Sequence, residues 1–181
     1  RQKSQKFMQG INPKPYLKVS NVSDGRLVLE KIEEMDFTEK EMGVYRLRSG
    51  DILLTEGDLI SEFNVGRCAM FRGEIEDCAF QNHLIRFRSG SKLLPEFSIA
   101  LFRFLFHSHV FAKMAKKTTV VSLGVKRVAP IMVSVPDVET QRKIADIFSE
   151  IYSQQDRLKR HEDEAAAVKK ALLSEVIPPH V

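Results

Sequence analysis

The chain has 181 residues, 43% apolar and 29% charged, with a formal net charge of +4. That length supports one core of ordinary domain size plus an appendage, and the balance excludes a disordered chain. The most apolar run, residues 99–111, is broken by Arg103, His107 and His109 and is too short for a bilayer span, so no membrane partner is expected. The opening RQKSQKFMQG lacks the apolar centre of a signal peptide. Cys68 and Cys78 sit in apolar contexts suited to reduced thiols, and the expected location is cytoplasmic.

"KPYLKVSNVSDGRLVLE" predicts a strand, a turn and a strand. Val19 and Val22 favour β structure, Asp24-Gly25 is a turn dipeptide, and Leu27 and Leu29 alternate with Arg26, Val28 and Glu30. Thr38 and Glu41 have capping-box spacing for a short helical turn that Gly43 would end. Ser49-Gly50-Asp51 turns into the buried-strand run Ile52 to Leu54, with Asp51 capping its start. Residues 57–66 read as a loop and "GRCAMFRG" as a strand. "CAFQNHLIRFR", residues 78–88, reads as a strand headed by Gln81, Asn82 and His83. Such a triplet either caps its own backbone or reads something outside the fold. Arg86 and Arg88 read as solvated strand charges.

Pro95 opens a helix as a first-turn proline, and the pattern continues to Lys117. Phe97, Leu101, Phe104 and Leu105 share one face, which Phe102 and Phe106 widen. A polar connection, Lys116 to Thr119, leads on to "APIMVSVP", a short strand closed by Pro136. From Asp137 to Val176 glycine and proline vanish, and Ile144, Ile151, Leu158, Ala165 and Leu172 recur every seven residues. Ile147 and Val168 take the partner position. Strict seven-residue spacing marks a left-handed coiled-coil seam, here roughly 55–60 Å long at ~1.5 Å per residue. Its stripe needs a second copy or another chain to cover it; the alternative is a long helix folded back on its own domain. The expected fold is α/β (α+β). A mixed, mostly β domain with packed helices spans 1–136, and a long coiled-coil helix serves as spacer or dimerisation arm over 137–181.

The modest net charge hides a local imbalance. No acidic residue lies between Glu96 and Asp137, whereas Arg103, Lys113, Lys116, Lys117, Lys126 and Arg127 do. Such a stretch makes a positive field suited to a polyanion, although a basic surface that only aids solubility has the same composition. Signatures of catalysis are missing. No Asp or Glu precedes a Lys by two residues, as strands of metal-dependent nucleases require, and no two glycines flank a single residue, as cofactor loops usually do. "NPKPY" at 12–16 is similar to the Asn-Pro-Pro-Tyr box of amino-methyltransferases, but the inserted Lys14 breaks its turn. His107 and His109 fall on different sides of a helix, and Cys68 and Cys78 lack the spacing of a zinc clamp. No metal, cofactor or catalytic residue is expected.

In chain order, "PYLKVSNVSDGRLVL", "LRSGDILLTEGD", "VGRCAM", "AFQNHLIRFR", "LLPEFSIALFRFL" and "SVPDVETQRKIADIF" resemble a target-recognition domain of type I restriction–modification specificity subunits. The matching residues are Tyr16, Asn21, Gly50-Asp51-Ile52-Leu53, Gly66-Arg67, Gln81-Asn82-His83, Pro95, Pro136, Glu139, Gln141 and Ile144. The resemblance runs from about residue 14 to residue 176. The chain departs from the family in two ways. Glu139-Thr140-Gln141 stands where an adjacent Glu-Gln pair is usual, and this chain has one recognition domain and one spacer helix where members usually carry two of each.

The resemblance implies a non-catalytic subunit that recognises double-stranded DNA in a sequence-specific way and reads one half of a bipartite target. It implies partner subunits too: modification (methyltransferase) subunits docked on antiparallel spacer helices, and a restriction (translocase/nuclease) subunit. A chain with one domain would be a half-subunit or a piece of a longer protein. As a half-subunit it would form a homodimer through Ile144, Ile147, Ile151, Leu158, Ala165, Val168 and Leu172, reading inverted half-sites. Phosphate contacts suit Lys14, Lys18, Lys116, Lys117, Lys126 and Arg127. Base-edge contacts suit Arg67, Gln81, Asn82, His83, Thr118 and Thr119. Readers vary between members with different targets, so a shared Gln-Asn-His favours scaffold over base reading. The alternatives are a coiled-coil adaptor with an incidental basic face, and the recognition segment of a fused restriction-methyltransferase.

Overall fold

A computed structural model describes residues 12–58, 64–115 and 121–176. In one sheet, β1 (Pro13–Leu17) lies between antiparallel β2 (Glu33–Asp36) and parallel β6 (Ala79–Phe80). In the second, β3 (Ile52–Thr55) lies between β5 (Cys68–Met70) and β7 (Leu84–Phe87), both antiparallel. A ribbon joins β4 (Gly57–Asp58) to β8 (Val121–Ser122). The helices are α1 (Glu39–Tyr45), α2 (Pro95–His107), α3 (Val110–Met114), α4 (Val125–Val128) and α5 (Val138–Val176). This is the expected class, a mixed α/β head followed by a long helix. Among the described residues no helix is long and apolar enough to cross a membrane.

β3 organises the head. Its Ile-Leu-Leu-Thr run is buried throughout, as an apolar run rather than an alternating one requires. Successive side chains point to opposite faces, so Leu53 enters a core with Leu17, Ala69, Phe71 and Phe80. Ile52 and Leu54 enter another with Cys68, Ile85, Phe102 and Phe111. The second sheet thus separates the first sheet from α2 and α3.

Several expectations need correction. The first strand forms as β1 and the Asp24-Gly25 turn forms, but beside that turn the pairing is a single bridge between Val22 and Leu27. The preceding Val19–Asn21 is a 3₁₀ turn. The Asn21 side chain accepts from the Lys18 N–H and donates to the carbonyls of Val28 and Lys31, pinning the loop from within. The Thr38–Glu41 capping box closes in both directions, yet Gly43 lies inside α1 because Met42 is drawn into the core with Met35 and Phe37. The predicted loop at 57–66 begins instead with β4.

The long helix from Pro95 stops at His107, and His109 takes a left-handed conformation (φ 56) before α3 begins. Phe102 and Phe111, nine residues apart, would face opposite ways on a straight helix at about 100° per residue. The break brings their rings to 6.3 Å. On α2 the buried residues are Phe97, Ser98, Ala100, Phe102 and Arg103, while Phe104 is exposed and meets Phe148 of α5. The predicted strand in "APIMVSVP" is an unpaired connection, bounded by Pro130 and Pro136, which have no N–H to give a ladder.

Candidate nucleic-acid interface

Three loops are tied to the C-terminal end of β3. The Thr55 N–H donates to the Arg67 carbonyl (2.9 Å), the Glu56 N–H to the His83 carbonyl (2.8 Å), and the Glu56 carbonyl accepts from the Leu123 N–H (2.7 Å). Segments distant in sequence therefore meet on two adjacent residues. The Thr55 hydroxyl donates to the Asn64 carbonyl and accepts from the Gly66 N–H. Gly66 has φ +87, and a Cβ there would lie 2.4 Å from the Phe111 ring. Only glycine fits that turn, and Arg67 beside it is half-buried, with its Nε inaccessible.

The Gln-Asn-His triplet links the two sheets. The Gln81 N–H donates to the Leu17 carbonyl (2.8 Å), the Gln81 carbonyl accepts from the Leu84 N–H (3.2 Å), and His83 is left-handed (φ 69). Its main chain is scaffold. Its side chains are not: Gln81 is half-buried, Asn82 and His83 are exposed, and none makes a side-chain hydrogen bond among the described residues. The scaffold reading therefore describes the main chain of the triplet.

The expected phosphate contacts fall into separate groups. Lys14 pairs with Asp77 at 2.5 Å, and Lys18 pairs with Glu33, which also accepts from the Tyr16 hydroxyl (2.8 Å). These lysine hydrogen bonds hold the carboxyls of Asp77 and Glu33 below their usual range. Burial, with Glu33 alongside, pushes the Tyr16 phenol up to about 12. Lys14 and Lys18 are therefore neutralised within the fold. Lys126 and Arg127 are exposed on α4, and the Arg127 guanidinium donates to the Met114 carbonyl (3.1 Å), drawing α4 to the end of α3 beside exposed Lys113. Lys116, Lys117, Thr118 and Thr119 lie outside the described residues; Ala115 follows α3 before them and Val121 opens β8 after them.

Three arginines find partners within the fold, although Arg88 stays exposed. Arg103, 6% exposed, points inward to Asp24, so it leaves the basic surface. Arg86 donates to the carbonyls of Val44 and Arg46 and lies 5.2 Å over the Phe80 ring. Arg88 grips Asp51 through two 2.6 Å bonds. Asp51 does cap its turn, accepting from the Arg48 N–H, but it is fully buried and a buried carboxylate needs a charge partner.

α5 carries two stripes. Gln141, Ala145 and Tyr152 are buried and Phe148 is half-buried, all against the head. Gln141 is wholly inaccessible. Its amide donates to the carbonyls of Lys92 and Pro136 and accepts from the Leu94 N–H, each at 2.9 Å, joining the starts of α2 and α5. From Ser153 to Ser174 every residue is exposed. On the heptad stripe Ile144 is half-buried. Ile147, Ile151, Leu158, Ala165, Val168 and Leu172 are exposed, Ile151 by 44% and Leu158 by 65%. The head-facing stripe was readable at i, i+4, i+7, i+11 but is masked by the regular heptad. Asp24 read only as a turn former.

Residues 3–166 match the family described as type I restriction modification DNA specificity domain. The specificity subunit of the type I restriction enzyme EcoKI, from Escherichia coli, is 26% identical over 160 residues, which are 84% of this chain and 33% of that protein. Two solved structures share the fold. One, reported for complex assembly and conformational transition of the type I R-M system, has a TM-score of 0.67 at 19% identity and covers 95% of this chain and 39% of its own. The other, the HsdS subunit from Thermoanaerobacter tengcongensis, has a TM-score of 0.60 at 18% identity, with coverage of 94% and 45%. The chain thus spans about a third of the curated relative's length and less than half of each solved chain.

Proposed function

This chain belongs to the type I restriction–modification DNA specificity family, and from that premise we propose that it reads one half of a bipartite duplex target without catalysing a reaction itself. The observation that carries this reading is the gathering of Arg67 and the Gln81–His83 turn on the Thr55–Glu56 end of β3. Base edges are discriminated by side chains that offer two hydrogen bonds in a fixed geometry: amides suit adenine and guanidinium suits guanine. Gln81, Asn82 and Arg67 have those groups, and a rigid sheet end holds their backbones. His83 stands beside them. Lys126 and Arg127 supply phosphate contacts near the same end, with Lys116, Lys117, Thr118 and Thr119 on the intervening segment. Lys14 and Lys18 act at the margin, where phosphate competes with Asp77 and Glu33.

The uncovered stripe of α5 is taken by a second copy, so that a homodimer sets two heads on one duplex. The paired arms dock modification subunits, and a restriction subunit joins that assembly. The test is duplex binding in the presence of the modification subunit. Affinity should fall steeply with salt, and one sequence should be preferred. Gln81→Ala and Asn82→Ala should relax the preference at particular base pairs, by about 1–3 kcal/mol each. Lys126→Glu with Arg127→Glu should weaken all duplexes alike. Equal affinity for every sequence, or binding indifferent to salt, would overturn the reading.

A further inference from the structure

The head holds the arm along Gln141, Ala145, Phe148 and Tyr152, and the last of these contacts is built from charge. Tyr152 lies eleven residues beyond Gln141, about 16 Å along the helix at 1.5 Å per residue. The Arg103 guanidinium sits 3.6 Å above the Tyr152 ring, and its Nε and Nη2 each donate to Asp24 at 3.0 Å. His107 Nε2 lies 2.9 Å from the same carboxylate, and the His107 ring stacks on Tyr152 at 5.9 Å. The Asp24 loop is anchored in turn, since the Gly25 N–H donates to the Cys68 carbonyl of β5 (2.8 Å). Gly25 has φ +75, and a Cβ there would lie 2.5 Å from the guanidinium carbon. Loop, α2 and α5 therefore meet at one point, where a side chain at residue 25 would have to displace the guanidinium.

A forked guanidinium bound to a carboxylate has a fixed plane, and that plane orients the ring stacked on it. Apolar packing would let the arm slide. A cleft of about 360 Å³, lined by Arg72, Glu96, Asp146 and Ser149 among others, opens between head and arm beside the joint. Packing there does not oppose a swing of the arm.

We propose that Asp24, Arg103 and Tyr152 form a joint that sets the direction in which the arm leaves the head, and thereby selects the spacing between half-sites that a dimer accepts. The spacing role rests on the dimeric DNA-reading function proposed above; the joint itself does not. With Gln141 as pivot, the arm reaches about 52 Å to Val176, so a 1 Å slip at Tyr152 moves its tip by about 3 Å. That is close to the rise of about 3.4 Å per base pair. A loose joint would blur the spacing by a base pair or more. These are positioning residues, acting through the arm without touching DNA.

Three variants separate a joint from plain packing. Tyr152→Phe keeps the ring, Tyr152→Leu removes its face, and Arg103→Lys keeps the charge but loses the fork. Spin labels on Lys40→Cys in α1 and Lys169→Cys in the arm, with labelled chains diluted into unlabelled protein, report the distance from head to arm without DNA. The parent and Tyr152→Phe should give one narrow distribution, and Tyr152→Leu and Arg103→Lys a distribution broader by about 3 Å or more. Duplexes with two inverted half-sites, spaced in single base-pair steps, are then tested with the modification subunit bound. The parent and Tyr152→Phe should prefer one spacing over its neighbours by about tenfold, the order expected when DNA must deform to fit. In the other two variants that preference should collapse while affinity for a single half-site holds. A distribution that stays narrow in both Tyr152→Leu and Arg103→Lys overturns the joint, whatever the DNA result. Broadening with an unchanged preference overturns its link to spacing. Broadening in a protein whose parent binds no duplex overturns the DNA reading and the spacing role, and supports the joint alone.

Discussion

Up to Tyr152, α5 is part of the head; from Ser153 to Ser174 the same helix is exposed on every side. The two regions follow different periods. Gln141, Ala145, Phe148 and Tyr152 advance eleven residues in three turns, within about 20° of a straight line on an ordinary helix of 3.6 residues per turn. The heptad residues drift by about 20° per repeat and stay in line only if the helix supercoils around another. The stripe that suits a straight helix meets the head, and the stripe that suits a supercoil stays uncovered beyond Ile144. A period therefore indicates the kind of partner a face can take, and two faces of one helix can differ.

The largest expected effect falls on the held region. Gln141→Leu would take away the partner of two part-buried carbonyls and one part-buried N–H, and should cost about 2–4 kcal/mol in urea unfolding. A loss under about 1 kcal/mol would mean that the first turns of α5 are not part of the head. The uncovered stripe should respond in the opposite way. Ile151→Gln with Leu158→Gln should halve the solution mass while the urea midpoint of the head stays put. Burial of each such side chain is worth about 1.5–3 kcal/mol, so a doubly substituted chain that stays dimeric would remove the stripe from the interface.

A smaller effect separates the head's surface charges from its core. Asp77 and Glu33 have lowered pKa values in the folded head. Their contribution is present above the ordinary carboxylate range near 4 and is lost as pH falls through the lowered folded values. Both carboxylates are partly exposed, so each pair is worth about 1 kcal/mol or less. Glu33→Gln with Asp77→Asn should flatten the acid limb of thermal stability; a limb as steep as the parent's would assign acid sensitivity elsewhere. The smallest effect belongs to the exposed Lys143–Glu139 pair at the base of the arm. Lys143→Ala should change stability by no more than about 0.5 kcal/mol, and a larger loss would mean that charge, rather than Gln141, holds that base.

Much of the fold was legible. Gly50-Asp51 before an apolar run marked β3, Thr38 and Glu41 marked the start of α1, Pro95 marked that of α2, and the long glycine-free stretch marked α5. β2 was not legible, because Glu33 to Asp36 has no strand pattern and becomes a strand by pairing with β1 and burying Met35. Nor was the break in α2, since Ser108-His109 contains no helix breaker and the turn is made by the core that takes up Phe111. At the candidate site the residue types could be read, including the amides of Gln81 and Asn82 and the cations of α4. Their meeting at Thr55–Glu56 could not, because those bonds join backbones far apart in the chain. Arg88 and Arg103 looked like surface charges until Asp51 and Asp24 supplied partners distant in sequence.

The sequence by itself determined where β3, α1, α2 and α5 begin, which residue types suit a polyanion, and that one helix would carry an unsatisfied seam. Each of these depends on neighbours within a few turns. Only the tertiary structure decided which cations are spent inside the fold, which loops share one end of β3, and how far along α5 the head holds on. Those outcomes turn on burial, which makes a lone carboxylate or amide seek whatever partner the folded chain brings within reach.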